Sequence, residues 1–213
     1  MSKVVYVWTL SKSVTPLREK TSLPSLQHPV PLREEGIAAH RPQERTTLMR
    51  VFSTHGRDLL KGYEALRLLP YDDQTGLPLK EWNKGATIGY GHLIPKEEWA
   101  SLKDGITAGE AEEIFTTDLR PFEGAVREGL KKEVSQSQFD ALVILAFNIG
   151  PGSFKSSSAL KLVNDPAAKT PYPSLEAAWK AWNRSQGKVM KGLVRRRAAE
   201  WELFTGSPHK VGG

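Results

Sequence analysis

Residues 135–150, SQSQFDALVILAFNIG, constrain this chain more than any other stretch. The run ALVILAF at 141–147 is strictly apolar, so a helix here is apolar on every side and has to be enclosed by the rest of the fold. It is the longest such run and falls far short of the roughly 20 residues a membrane-spanning helix needs. The segment therefore reads as the buried central helix of a globular protein.

The other elements are arranged around it. Leu59, Tyr63 and Leu66 fall at helical spacing from about Asp58, and Pro70 is expected to stop that helix. Residues 71–94 are rich in Gly, Thr, Tyr and Ile, as in a small β-sheet with turns. In TAGEAEEIFTTDLRPFEGAVREGL, Thr107 and Glu110 have the spacing of a capping box, and a helix follows. SLEAAWKAWNRS and GLVRRRAAEWELFTG read as two further amphipathic helices, the second capped by Gly206. The expected fold class is α+β, a small sheet lobe followed by a larger helical lobe, with no internal repeat.

The N-terminal quarter differs. Residues 1–57 hold five of the 14 prolines and little periodic apolar pattern beyond YVWTL, a possible short strand. They carry nine Lys/Arg against four Glu, a net +5 of the chain's +6; residues 58–213 carry 21 Lys/Arg against 20 Asp/Glu, a net +1. Two readings of this excess stand: solubility, or attraction to a polyanion such as an envelope polymer or nucleic acid. The 213 residues suffice for one core with a small appendage, so the division expected is an extension at 1–57 and a catalytic domain at 58–213. The absence of cysteine excludes disulfides, thiolate metal sites and cysteine nucleophiles. MSKVVYVWTLSKS lacks the charge and cleavage pattern of a signal peptide, so synthesis in the cytoplasm without an export signal is expected.

The chemistry-bearing stretch is GYEALRLLPYDDQTG, 62–76. On the expected helix Glu64 has Leu60 and Leu68 at i−4 and i+4, which would desolvate its carboxyl and favour the protonated form; Arg67 at i+3 pulls the other way. Asp73 follows nine residues later in a polar turn and is expected to stay ionised. Two carboxyl groups in contrasting environments suit glycoside hydrolysis, one as general acid and one as base. The spacing alone is equally that of a solvated helix end and a turn aspartate.

Glu64, Asp73 and the following TIGYGH together resemble the phage-type lysozymes, the muramidases of glycoside hydrolase family 24. ITAGEAEEIFTTDL, FNIGPGSFKSSSALKLVN and GKVMKGLVRRRAAEWELFTG are similar to later segments of that family, in the same order, over roughly residues 58–206. The resemblance implies a lysozyme-like fold with a substrate groove between its lobes. It implies Glu64 as general acid, with Asp73 and Thr87 holding and activating water. Leu93, Phe147 and Ser157 match groove positions. It also pairs Asp118 with His92, and implies no metal and no cofactor. The sequence departs from the family in one place: Asp73 and Thr87 are fourteen residues apart where six is usual, an insertion around LPLKEWNKG. Thr75 is the alternative hydroxyl, outside the TIGYGH context.

Several residues have plainer readings. His92, without clustered ligands, is structural rather than a zinc ligand. Asp72 is a turn residue. Trp179, Trp182 and Trp201 lie at helical spacings, as core residues do. Arg195, Arg196 and Arg197 form a helix face that holds the domain together, with one arginine near Glu64. The expected function is an endolysin-type muramidase, a monomer acting on peptidoglycan in the periplasm or from outside. Residues 1–57 are a candidate contact for anionic envelope polymers, and no nucleic acid is expected because no recognised binding motif is present. The rivals are a lytic transglycosylase, which would leave 1,6-anhydro ends, and a non-catalytic wall- or nucleic-acid-binding module.

Overall fold

The computed structural model describes residues 50–206; the expected strand YVWTL and most of the proline-containing extension lie outside them. Helix α1, Thr54–Tyr63, is capped by Ser53, whose hydroxyl accepts from the Gly56 N–H at 3.0 Å. Ser53 also donates to both carboxylate oxygens of Asp140, through its N–H at 3.0 Å and its hydroxyl at 2.5 Å. Phe52 beside it is buried. The expected boundary after residue 57 therefore falls inside α1, and residues 50–57 belong to the packed lobe.

Helix α1 ends earlier than its apolar spacing suggests. Glu64 is its extended C-cap, and strand β1, Arg67–Asp72, follows through Pro70. Leu66, just before this strand, and Leu68 and Leu69 on it are exposed and do not continue a helix face. Proline is tolerated because β1 is an edge strand and its register slips between Arg67 and Tyr71. Strands β2, Ala86–Gly89, and β3, His92–Leu93, complete an antiparallel sheet of order β1-β2-β3. Ala86, Ile88 and Ile94 form its small core with Leu79, Trp82, Trp99, Leu102 and Ile106. Leu79 and Trp82 come from the inserted stretch, and Trp82 Nε1 donates to the Ile94 carbonyl at 2.9 Å. The insertion is thus folded onto the sheet lobe.

A 3₁₀ turn, Lys96–Glu98, and a short α2, Trp99–Leu102, lead to α3, Ala108–Gly129, which opens with the expected Thr107/Glu110 capping box. Helix α4, Gln136–Ile149, is the central helix: every residue from Phe139 to Ala146 is buried. Each large apolar side chain enclosed there contributes roughly 1.5–3 kcal/mol of transfer free energy. Helices α5, Pro151–Ser156, α6, Ser158–Asn164, and α7, Leu175–Lys180, follow, with α8, Lys191–Thr205, closing the lobe and capped by Gly206 at φ 69°. Helix α4 packs against α3 and α8. Trp179 is fully buried, with Trp182 and Trp201 packed on the same cluster.

The second correction lies between α7 and α8. SLEAAWKAWNRS is helical only to Lys180; its end enters a hairpin of β4, Arg184–Ser185, and β5, Lys188–Val189. Gln186 and Gly187 turn it with φ of 47° and 77°, a pair of positive angles suited to a two-residue hairpin loop. Among the described residues no helix is long and apolar enough to cross a membrane.

Candidate active site

Glu64 owes its place to the early end of α1. As C-cap it leaves the helix axis, and its side chain meets α8: Arg196 Nη1 donates to Glu64 Oε1 at 3.1 Å. The two side chains are 9% and 15% exposed, so this pair is largely withdrawn from water. The arginine expected near Glu64 is therefore Arg196. Arg67 is engaged elsewhere, donating to the Gly76 carbonyl at 2.7 Å and lying 4.4 Å from the Tyr71 ring centre.

Asp72 and Asp73 divide the turn unequally. Asp72 takes its donors: Oδ1 accepts from the Gln74 and Thr75 N–H groups and the Thr75 hydroxyl, and Oδ2 accepts from Asn83 at 2.6 Å. The Thr75 N–H, followed by Asn83, holds the Asp72 carboxyl below the usual carboxylate range. Thr75 is thereby a turn residue, and Asp72 plays the structural part expected of it.

Asp73 is buried, and its Oδ1 receives no hydrogen bond from any described residue. Burial, then the charge of Asp72, raises its affinity for a proton above the ordinary aspartate value. The polar groups of that turn solvate its neighbour Asp72 instead. What positions Asp73 is Gly85. The Gly85 carbonyl accepts from the Asp73 N–H at 3.0 Å and from the Thr87 hydroxyl at 3.0 Å. The Gly85 N–H is held in turn by Asn83 Oδ1 at 2.8 Å. Thr87 is buried on β2. One carbonyl thus joins the aspartate to the threonine across the insertion, although fourteen residues separate them in sequence. Sequence reading does not single out Gly85; the available signal is a glycine directly before ATIGYG.

The other expected residues are distributed as follows. Leu93 is half-buried on β3, directly opposite Thr87 in register. Phe147 is half-buried on α4, with its ring 5.0 Å from Phe122 and 6.1 Å from Phe115. Ser157 is buried, and its hydroxyl accepts from the Leu160 N–H as the N-cap of α6. His92 stands beside Asp118, with Nδ1 3.0 Å from Oδ2, and its Nε2 is 3.3 Å from Glu98. Burial, the largest influence, pulls its basicity down, yet the two carboxylates outweigh it and the net effect is upward. Among the described residues no group of His, Asp and Glu side chains is arranged to hold a metal ion.

Residues 61–200 match the phage lysozyme family. The chain is 41% identical over 160 residues to an endolysin of Bacillus phage PZA, a match covering 75% of this chain and 57% of that protein. It is 34% identical over 158 residues to an endolysin of Salmonella phage P22, covering 73% and 99%. Among solved structures, a P22 lysozyme mutant superposes with a TM-score of 0.59 at 29% identity, covering 74% of this chain and 99% of that one. An endolysin from Escherichia coli O157:H7 phage FAHEc1 gives 0.60 at 29% identity, covering 76% and 97%. The chain spans 57% and 56% of the two Bacillus phage endolysins it matches. The motif order, the two-lobed α+β fold and these likenesses agree: the chain belongs to the phage lysozyme family.

Proposed function

We propose that this chain is an endolysin-type muramidase that hydrolyses the β-1,4 bond from N-acetylmuramic acid to N-acetylglucosamine in bacterial peptidoglycan, leading to cell lysis. The observation that carries the reading is the shared Gly85 carbonyl. It sets Asp73 and Thr87 together on the sheet lobe, with one buried Asp73 oxygen receiving no hydrogen bond from the described residues. A carboxylate with a free lone pair and an enhanced taste for protons is suited to orient and deprotonate a water molecule. Glu64, on the helical side, supplies a proton to the leaving oxygen as oxocarbenium character develops. Water held by Asp73 and Thr87 attacks the opposite face, so the anomeric centre inverts.

Leu93 and Phe147 are proposed to line the sugar groove, Leu93 by its register with Thr87 and Phe147 by its partly exposed ring. Ser157 serves the groove through the helix it caps. The site needs no cofactor under this mechanism, and one copy of the chain supplies every proposed group. The substrate places the site of action at the cell wall; residues 1–49 are proposed as a cationic contact for anionic envelope polymers. The test is NMR of the first-formed product on a soluble peptidoglycan fragment. The α anomer is expected. First appearance of the β anomer would exclude inversion, and its persistence with a trapped glycosyl-enzyme would assign a covalent mechanism instead.

A further inference from the structure

Behind Glu64 lies a charge network that the reaction above does not use. Glu200 on α8 is completely buried. Its Oε1 accepts from Arg196 Nε at 3.2 Å and is ion-paired with Arg197 Nη2 at 2.8 Å, and its Oε2 accepts from Trp179 Nε1 of α7 at 3.0 Å. Arg197 Nη2 also donates to Asn148 Oδ1 of α4 at 2.7 Å. An enclosed carboxylate is strongly unfavourable without such partners, so Glu200 is held on three sides and has little freedom.

The consequence passes through Arg196. Its Nε is bound to Glu200, its Nη1 is bound to Glu64, and its guanidinium lies 4.9 Å from the Tyr63 ring centre. The cation is therefore shared by two carboxylates, and the buried one fixes its orientation. A guanidinium facing a single carboxylate favours the ionised form of that partner. A general acid has to recover a proton after each turnover.

We propose that Glu200 is a positioning residue for the catalytic acid: it fixes the Arg196 guanidinium against Glu64 and, as a second anion on that cation, leaves Glu64 able to take up a proton. This rests on the muramidase reading of Glu64. The groups that face the pair are few. From α8 they are Arg196 and Arg197. From α1 comes Tyr63, whose phenol is pushed up first by burial and then by Glu200, with Arg196 and Arg197 opposing and Glu202 adding. From β1 comes Tyr71, whose phenol is raised first by burial, with Arg67 opposing and Glu64 and Asp73 adding.

The test is the pH dependence of peptidoglycan hydrolysis by the full chain, with unfolding followed in parallel. In Glu200→Gln the two guanidinium groups lose one counter-charge, ionised Glu64 is favoured, and the alkaline limb moves to lower pH by about one unit. Glu200→Asp retains the charge but withdraws it by one methylene, and moves the limb the same way by less. A merely structural Glu200 would lower the melting temperature and the activity amplitude with the limb unmoved. An active wild type with an unmoved limb in the folded Gln variant overturns the proposal. If only the Asp variant folds, an unmoved limb there does the same. A wild type that releases no sugar ends overturns the muramidase reading together with it.

Discussion

Asp73 Oδ1 lies so close over the backbone of Gly85 that a Cβ at residue 85 would stand 2.5 Å from it. The contact is with the far end of a side chain, so a methyl group displaces the carboxylate rather than the strand. Gly85→Ala is expected to leave the melting temperature nearly unchanged and to lower peptidoglycan hydrolysis about tenfold or more, since small misplacements of a reacting group are costly. Full activity in a folded Gly85→Ala protein would show that the position of Asp73 does not matter to the reaction.

Asp73 itself is a destabilising group at neutral pH. Its folded-state proton affinity is raised by burial and by Asp72, so the unfolded chain ionises it more easily. The native state is therefore disfavoured above both folded and unfolded values, and gains relative stability as pH falls through them. Asp73→Asn is expected to raise stability at pH 7 by about 1 kcal/mol, with the gain vanishing in acid, while hydrolysis drops sharply. Thermal melts at pH 7 and pH 3 measure it. An equal or larger gain at pH 3 would contradict this assignment of the burial penalty.

His92 tests a structural pair. Its basicity is raised in the fold despite burial, because Asp118 and Glu98 hold its ring nitrogens. The stabilisation is fully present below the unfolded histidine value of about 6.5 and is lost as pH rises through the higher folded value. Asp118→Asn should lower the melting temperature near pH 6 by a few degrees, equivalent to about 1 kcal/mol, and by less at pH 9. Hydrolysis should be largely retained. Loss of activity without loss of stability would reassign Asp118 to the chemistry.

The start of the lobe can be located by truncation. Deleting residues 1–57 removes Phe52, the Ser53 cap and both Ser53 bonds to Asp140, leaving that buried aspartate short of donors. The cap alone is worth about 1 kcal/mol and a buried phenylalanine about 3–5 kcal/mol. A chain beginning at residue 58 should therefore unfold well below one beginning at residue 50, and the latter should still cut purified peptidoglycan. Equal melting temperatures would place the true boundary later. If residues 1–49 contact the envelope, their removal weakens binding to intact cells, and high salt narrows the difference.

What could be read from the sequence depended on how local each determinant was. Helix α4 was legible because ALVILAF admits no exposed face, and α3 because Thr107 and Glu110 cap it within one turn. The end of α1 was not, since Leu66 and Leu68 fit a helix running on to Pro70 as well as they fit the approach to an edge strand. The strand wins by hydrogen bonds to β2 and to Leu79, which lies beyond the turn. The hairpin after α7 was hidden because AAWKAWNRS continues a helical pattern, and Gln-Gly is a weaker turn signal than Asn-Gly. Around the candidate site, two relationships were not readable. Which aspartate the turn would solvate depends on Asn83, within the insertion. The Glu200 anchor behind Arg196 depends on Trp179 and on the packing of α7 against α8.

The central claim is that Glu64 donates the proton that lets peptidoglycan be hydrolysed, and mass analysis of the products tests it most directly. Purified peptidoglycan is digested with the wild-type protein and with Glu64→Gln, which keeps the shape but has no proton to give. The account predicts fragments with reducing N-acetylmuramic acid ends from the wild type, and their release slowed about 100-fold or more in a folded Glu64→Gln protein. Near-equal release by the variant, or 1,6-anhydro ends from the wild type, would contradict it.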